Sequence, residues 1–229
     1  MAFPLRRIYR DNGAFLTLCA VFGAAGRLIF SELLSLAVKG RPELRVHPSA
    51  HIRGLAHMTI GNNFRAGRNL WLEAVTQDGD RFYSPRIEIG KNVIVNDFVH
   101  IGATNFISIG DNVLLASHIF ISDHHHGNYR GRNGSDPDIP PQLRQITRGS
   151  QVVIEDNVWI GDMTSVFAGV TIGRGSVIGG HSVVTRSVPP NCIAVGNPAR
   201  VIKQYCPIEK IWKPVTGTAE LEHSGDRSG

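Results

Sequence analysis

Between Ile154 and Val184 the aliphatic residues Ile154, Ile160, Val166, Ile172, Ile178 and Val184 recur at every sixth position without a slip. Glycine follows several of them, as in Ile160-Gly161, Ile172-Gly173 and Ile178-Gly179. Six is a poor helical period, because each step leaves the apolar groups about 120° out of superposition on a 3.6-residue turn. It suits a short strand and a tight corner: an inward aliphatic residue, a small residue where the backbone bends, then outward polar positions. Four places beyond each aliphatic residue stand Val158, Thr164, Val170, Ser176 and Ser182, small or β-branched as a narrow pleated interior requires. If three such sides close one turn, stacked turns pair strand to strand at about 4.8 Å and bury a continuous aliphatic column. The expected fold is therefore an all-β solenoid, a parallel β-helix of triangular section. Antiparallel strands with glycine turns would instead alternate every second residue.

The same period sets the boundaries. It starts at Val46 and Ile52, slips by two to Ile60, Ala66 and Leu72, and is lost from Glu73 to Arg86, which reads as a loop. It returns at Ile89, Val95 and Ile101, slips by two at Ile107/Ile109, and runs through Leu115 to Ile121. Ser122 to Ser150 has no period, is rich in Gly, Pro, Asn, Asp and Arg, and opens on His124, His125 and His126. A long aperiodic stretch inside a regular repeat is either functional or disordered, and the histidines favour function. Pro189-Pro190 and Gly196-Asn197-Pro198 are turn signals that close the solenoid. The expected organisation is an amino-terminal helical segment over 1–45, a β-helix catalytic domain over 46–200 with a protruding active-site loop at 122–150, and a carboxy-terminal extension over 201–229. Within that extension Pro207 to Gly229 is expected to be a loosely held tail.

The amino-terminal segment carries Arg6, Arg7 and Arg10 ahead of an apolar run from Gly13 to Gly26. This has the outline of a signal peptide, but Arg27 interrupts it and a helical pattern resumes as LIFSELLSLAV. The run is also short of the roughly 20 residues that span a bilayer. One or two helices are expected, packed on the end or flank of the solenoid or lying at a membrane surface with their arginines toward anionic lipid. The net charge of +5 suits an anionic ligand or surface, and no nucleic-acid-reading motif accompanies it. Cys19, Cys192 and Cys206 lack paired spacing, which argues against a disulfide framework or a cysteine zinc site and for a reducing compartment.

Several stretches, IGDNVLLA, the histidine-bearing loop, VVIEDNVWIGDMTSVFAGVTIGRGSVIGGHSVVT, SVPPN and VGNPARVIK, resemble the hexapeptide-repeat acyltransferases. Within them the chain is similar to the maltose/galactoside O-acetyltransferase branch, and the DHxHG form of its loop resembles bacterial surface-polysaccharide O-acetyltransferases. The resemblance is good over Ile89 to Lys203, weak over Val46 to Leu72, and scarcely reaches the amino-terminal segment. It implies a left-handed parallel β-helix, a homotrimer with active sites between subunits, acetyl-CoA as donor, no required metal, and a loop histidine as base. Since acetyl-CoA is cytosolic, the expected location is the cytoplasm or the inner membrane face.

Acetyl transfer from a thioester to a sugar hydroxyl needs a base, an oxyanion donor and a groove that orients the thioester. Laying the family's loop on this one without gaps, counted from Ile121, puts the catalytic histidine at His126. His124 competes, with Asp123 beside it as a carboxylate that could fix its tautomer. Asp123, His100, Asn96 and Trp159 are the candidates for the acceptor pocket. For the donor, the positions matching the family's coenzyme groove are Asp162, Gly180, Thr185, Arg186 and Lys203, with Arg200 nearby; relatives often carry serine or alanine where this chain has Asp162. The expected product is an O-acetylated sugar in a surface polysaccharide such as an O-antigen, capsule or exopolysaccharide. Two alternatives stand beside it: an N-acetyltransferase acting on an amino-sugar nucleotide, and a zinc hydratase of the carbonic-anhydrase kind, which needs three converging histidines drawn from His100, His118, His124 and His126. A non-catalytic scaffold is a third reading, opposed by the histidine-rich loop.

Overall fold

The computed structural model describes residues 5–129, 134–147 and 150–215. From Met58 the chain visits three sheets in rotation. Met58–Ile60 lies in a five-stranded sheet, Phe64–Ala66 in a nine-stranded sheet and Trp71–Ala74 in a six-stranded sheet; Arg86–Ile89 then returns to pair in parallel with Met58–Ile60. The rotation repeats without exception to Val183–Val184, so the three sheets form the faces of one prism around a shared interior.

The repeat causes this winding. Ile154, Ile160, Val166, Ile172, Ile178 and Val184 are all completely buried, each worth roughly 1.5–3 kcal/mol on transfer from water. Val158, Thr164, Val170, Ser176 and Ser182 are buried beside them. The hydroxyls in this second set do not go unpaired: Ser176 Oγ donates to the Pro189 carbonyl at 2.7 Å and Ser182 Oγ to that of Gly179 at 2.6 Å.

Two polar ladders hold the corners. Asn63, Asn92, Asn112 and Asn157 take left-handed backbone (φ 62, 58, 58 and 59°), which asparagine tolerates, and each passes an amide hydrogen bond to the next at 2.9, 2.9 and 3.3 Å. Carboxylates do the same work elsewhere. Asp97, Asp111, Asp156 and Asp162 accept from the backbone N–H of Arg68, Lys91, Asp111 and Ser117 at 2.6, 2.7, 2.8 and 2.9 Å. At Gly161 the turns stack so closely that a Cβ would stand 2.6 Å from the Gly180 nitrogen, so only glycine fits.

The structure departs from the sequence reading in four places. Strand begins at Leu44, inside the expected helical segment, because Leu44 and Val46 face the core. The stretch from Glu73 to Arg86 is not a plain loop: Gln77–Asp78 and Arg81–Phe82 pair antiparallel, and the Tyr83 hydroxyl donates to the Ile146 carbonyl at 3.3 Å. The long loop has paired legs, with Gly127 N donating to Gln145 O at 2.7 Å and Thr147 N to His125 O at 2.9 Å. Finally, 207–215 is not a loose tail. Arg200–Cys206 pairs antiparallel with both Cys192–Val195 and Ile211–Pro214, and the Tyr205 and Trp212 rings meet at 5.3 Å. The remainder of the expected tail, 216–229, lies outside the described residues.

The amino-terminal helix runs over Leu5–Ala37, broken at Gly13 (φ 73°, ψ −179°) into two. Its second part is fastened to the first turn of the prism: Val46 N donates to Ser31 Oγ at 2.9 Å, and Phe30, Leu34 and Val38 close the end of the core.

Candidate active site

The sequence slip at Ile107/Ile109 marks a widened corner at Thr104 and Asn105, between the strands His100–Ala103 and Phe106–Ile109. One turn along, Phe120–Ser122 pairs with His100–Ala103 and delivers Asp123 into that widening. The Asp123 carboxylate, fully buried, accepts at Oδ1 from Thr104 N at 2.9 Å and Thr104 Oγ1 at 3.2 Å. At Oδ2 it accepts from Asn105 N and Phe106 N, both at 2.8 Å. Burial by itself would raise this carboxyl, but hydrogen bonds from His124 and from the Thr104 and Asn105 backbones outweigh it and hold the group below its ordinary value. Asp123 is therefore a fixed buried anion.

His124 is the partner of that anion. Its Nδ1 stands 2.9 Å from Asp123 Oδ1, and its ring keeps only 16% of its surface exposed. Ser122 Oγ holds the turn, donating to the His124 carbonyl at 2.8 Å and accepting from His124 N at 3.2 Å, so that neighbouring residues face each other. An imidazole whose Nδ1 meets a carboxylate carries its proton there, which leaves Nε2 as an acceptor. His100 lies on the same face: a Cβ built on Gly102 would stand 3.4 Å from His100 Nε2 and 3.5 Å from His124 Cε1. Burial lowers the pKa of His100, Glu73 opposes that, and His124 adds to it. His100 also belongs to an aromatic column along the six-stranded sheet, stacked on Trp71 at 4.9 Å and meeting Phe120 edge-on at 5.3 Å.

The other candidates separate. His126 is exposed and held by a β-bridge to Ile146, and His125 stacks on Tyr129 at 6.1 Å. Among the described residues the imidazole that meets a carboxylate is that of His124. Trp159 lies on the nine-stranded sheet, a different face from His100 and His124. Asn96, Asp162 and Gly180 share one corner, between the nine- and six-stranded sheets; Asp162 is occupied there in bonding Ser117 N, and Gly180 packs under the Asp162 backbone. Thr185 and Arg186 follow Val183–Val184, at the same corner as Asp123 but two turns along, and both are exposed. Arg200 and Lys203 stand on the terminal hairpin, opposite Val195 and Ile193. Two shallow hollows, one lined by Ser108 and Arg174 and one by Lys39 and His57, both lie away from His124.

The sequence reading passed over Thr104, Asn105, Ser122 and Gly102, for which the two-residue slip was the available signal. Among the described residues of one chain no three His, Cys, Asp or Glu side chains gather closely enough to hold a metal. His118 is drawn off to the corner, stacked on Phe98 at 4.8 Å.

Residues 151–186 match the family model described as bacterial transferase hexapeptide (six repeats). The chain is 40% identical over 164 residues to the putative lipopolysaccharide biosynthesis O-acetyl transferase WbbJ of Escherichia coli K12, covering 71% of this chain and 80% of that one. It is 36% identical over 140 residues to galactoside O-acetyltransferase of the same organism, covering 60% and 62%. A solved galactoside acetyltransferase in complex with coenzyme A superposes with a TM-score of 0.47 at 22% identity, over 89% of this chain and 92% of that one. On the extent of its match to WbbJ, the chain belongs to the hexapeptide-repeat acyltransferase family.

Proposed function

We propose that this protein moves an acetyl group from acetyl-CoA to a sugar hydroxyl during synthesis of a bacterial surface polysaccharide. The observation that carries the reading is the Asp123–His124 pair at 2.9 Å, with the second ring nitrogen of His124 left as an acceptor beside His100. His124 Nε2 takes the proton of the acceptor hydroxyl as its oxygen attacks the thioester carbonyl. The C–S bond then breaks, and the same imidazole returns the proton to the departing coenzyme A sulfur. Asp123 keeps the ring in the productive tautomer and stabilises the transient imidazolium, staying ionised throughout.

The remaining expectations join this reading. Membership of the family supports a left-handed sense of winding and a homotrimer. A trimer is also supported by the way the remaining donor candidates divide, with Thr185 and Arg186 at one corner and Gly180 at another. Two such corners meet when the faces of neighbouring copies abut, and a thioester lying between them reaches His124 from one copy and the second corner of the next. Arg186, Arg200 and Lys203 are the cations offered to the nucleotide phosphates. The names of WbbJ and galactoside O-acetyltransferase support oxygen over nitrogen as the acceptor atom. Labelled acetyl-CoA incubated with a panel of acceptor glycans, read by mass, tests the proposal: an acetyl ester removed by mild base supports it, and a base-stable amide on an amino sugar overturns it in favour of the N-acetyl reading. A soluble donor supports a reaction in the cytoplasm or at the inner membrane face.

A further inference from the structure

We infer that the amino-terminal helix docks the protein onto an anionic lipid bilayer, lying within the interface and not crossing it. Gly13–Ala37 is long and apolar enough to cross a membrane, and no residue of its most apolar window is buried in the protein. Phe15, Phe22, Ile29 and Leu33 are 76, 69, 64 and 62% exposed. From Ala14 to Gly26 there is no charged residue. At 100° per residue, Phe15, Leu16, Leu18, Val21 and Phe22 cover an arc of about 220°, and the small uncharged residues Thr17, Ala20 and Ala24 occupy the rest. A second copy of the helix would cover one stripe of such a surface and leave the rest wet, whereas lipid covers all of it.

Three observations fix how the helix sits. Its second half is anchored to the protein, through Ser31 to Val46 and through Phe30, Leu34 and Val38, so it is part of the fold and the apolar stretch ahead of it stands free. That free stretch measures about 20 Å, against a hydrocarbon core of about 30 Å, too short to reach the far side. Arginines flank it, with Arg6, Arg7 and Arg10 before Gly13 and Arg27 after it, and the bend at Gly13 lets the leading segment turn along the headgroups. The stacked turns would thus hang from the membrane surface by one end. The inference rests on the helix alone and stands or falls separately from the transfer reaction.

The test floats the full-length protein, as Cys206→Ser, on vesicles of phosphatidylcholine with one quarter phosphatidylglycerol, and follows the labelling of Cys19 by a membrane-impermeant maleimide. Cys19 is exposed and lies within the free stretch, while Cys192 is buried. The expected result is flotation with the vesicles, protection of Cys19 on their addition, and at least about tenfold weaker partition for Phe15→Asp/Phe22→Asp. These positions are exposed, so the thermal melt of the double variant stays at the parental value. Parental protein left at the bottom of the gradient overturns the inference. Equal partition onto pure phosphatidylcholine overturns it too, as does a lipid-free assembly that the double variant disperses while Cys19 stays reactive toward maleimide on vesicles.

Discussion

Asp123 and His124 are sequence neighbours whose side chains face each other, with His124 Nδ1 2.9 Å from Asp123 Oδ1. Neighbours in an extended segment point to opposite sides. The contact exists because Asp123 turns inward to fill the widened corner at Thr104 and Asn105, while the Ser122 hydroxyl turns the His124 backbone after it. One carboxylate therefore closes a corner of the fold and orients an imidazole at its surface.

That double role sets the cost of Asp123→Asn. The new NH2 would face N–H donors of Asn105 and Phe106 that now bond Oδ2 at 2.8 Å, leaving donors opposed in a buried corner. We expect a loss of about 1–3 kcal/mol of stability, read by denaturant unfolding, together with a fall in turnover larger than any change in KM.

Acid has the matching effect. The folded-state pKa of Asp123 is depressed, so its contribution is present at pH values above the ordinary carboxylate range and is lost as pH falls through the folded-state value. Unfolding free energies of the parent and Asp123→Asn, measured from neutral to acid pH, are expected to converge as the pH falls. A gap that stays constant to the acid end would show that the charge contributes nothing.

The corner carboxylate and the exposed arginine should part company in kinetics. Asp162→Ala removes the acceptor for Ser117 N at 2.9 Å from an exposed rung, so a melting shift worth less than about 1 kcal/mol is expected, with KM for acetyl-CoA unchanged. Arg186→Ala should raise that KM several-fold and leave the melt alone, since Arg186 is exposed. A steady-state titration of acetyl-CoA with both variants separates the two.

Gly161→Ala addresses the winding itself. A Cβ there meets the Gly180 nitrogen at 2.6 Å, a backbone atom that cannot swing aside. A loss of at least about 1 kcal/mol is expected in thermal or denaturant unfolding, the scale of overpacking a filled core.

The stacked turns were legible because each inward residue carries its own signal: Ile154 to Val184 are spaced by the length of one side, and every one of the six is buried. The corner ladders were less visible. Asn63, Asn92, Asn112 and Asn157 lie outside the apolar repeat and acquire meaning only when the turns stack. The choice between His126 and His124 was illegible for a similar reason. A gapless count from Ile121 led to His126, whereas the orientation of an imidazole depends on the Thr104–Asn105 corner, distant in sequence, which captures Asp123. The terminal hairpin was missed because Arg200–Cys206 and Ile211–Pro214 pair with each other and with Cys192–Val195 on an outer edge, where no inward period is needed.

The most direct test of the central claim compares single-turnover acetyl transfer by His124→Ala and His126→Ala, with acetyl-CoA binding measured in parallel. The expected result is a fall of at least about a hundredfold for His124→Ala with donor binding retained, and near-parental rates for His126→Ala. A live His124→Ala and a dead His126→Ala would contradict the account and return the base to the exposed leg of the loop.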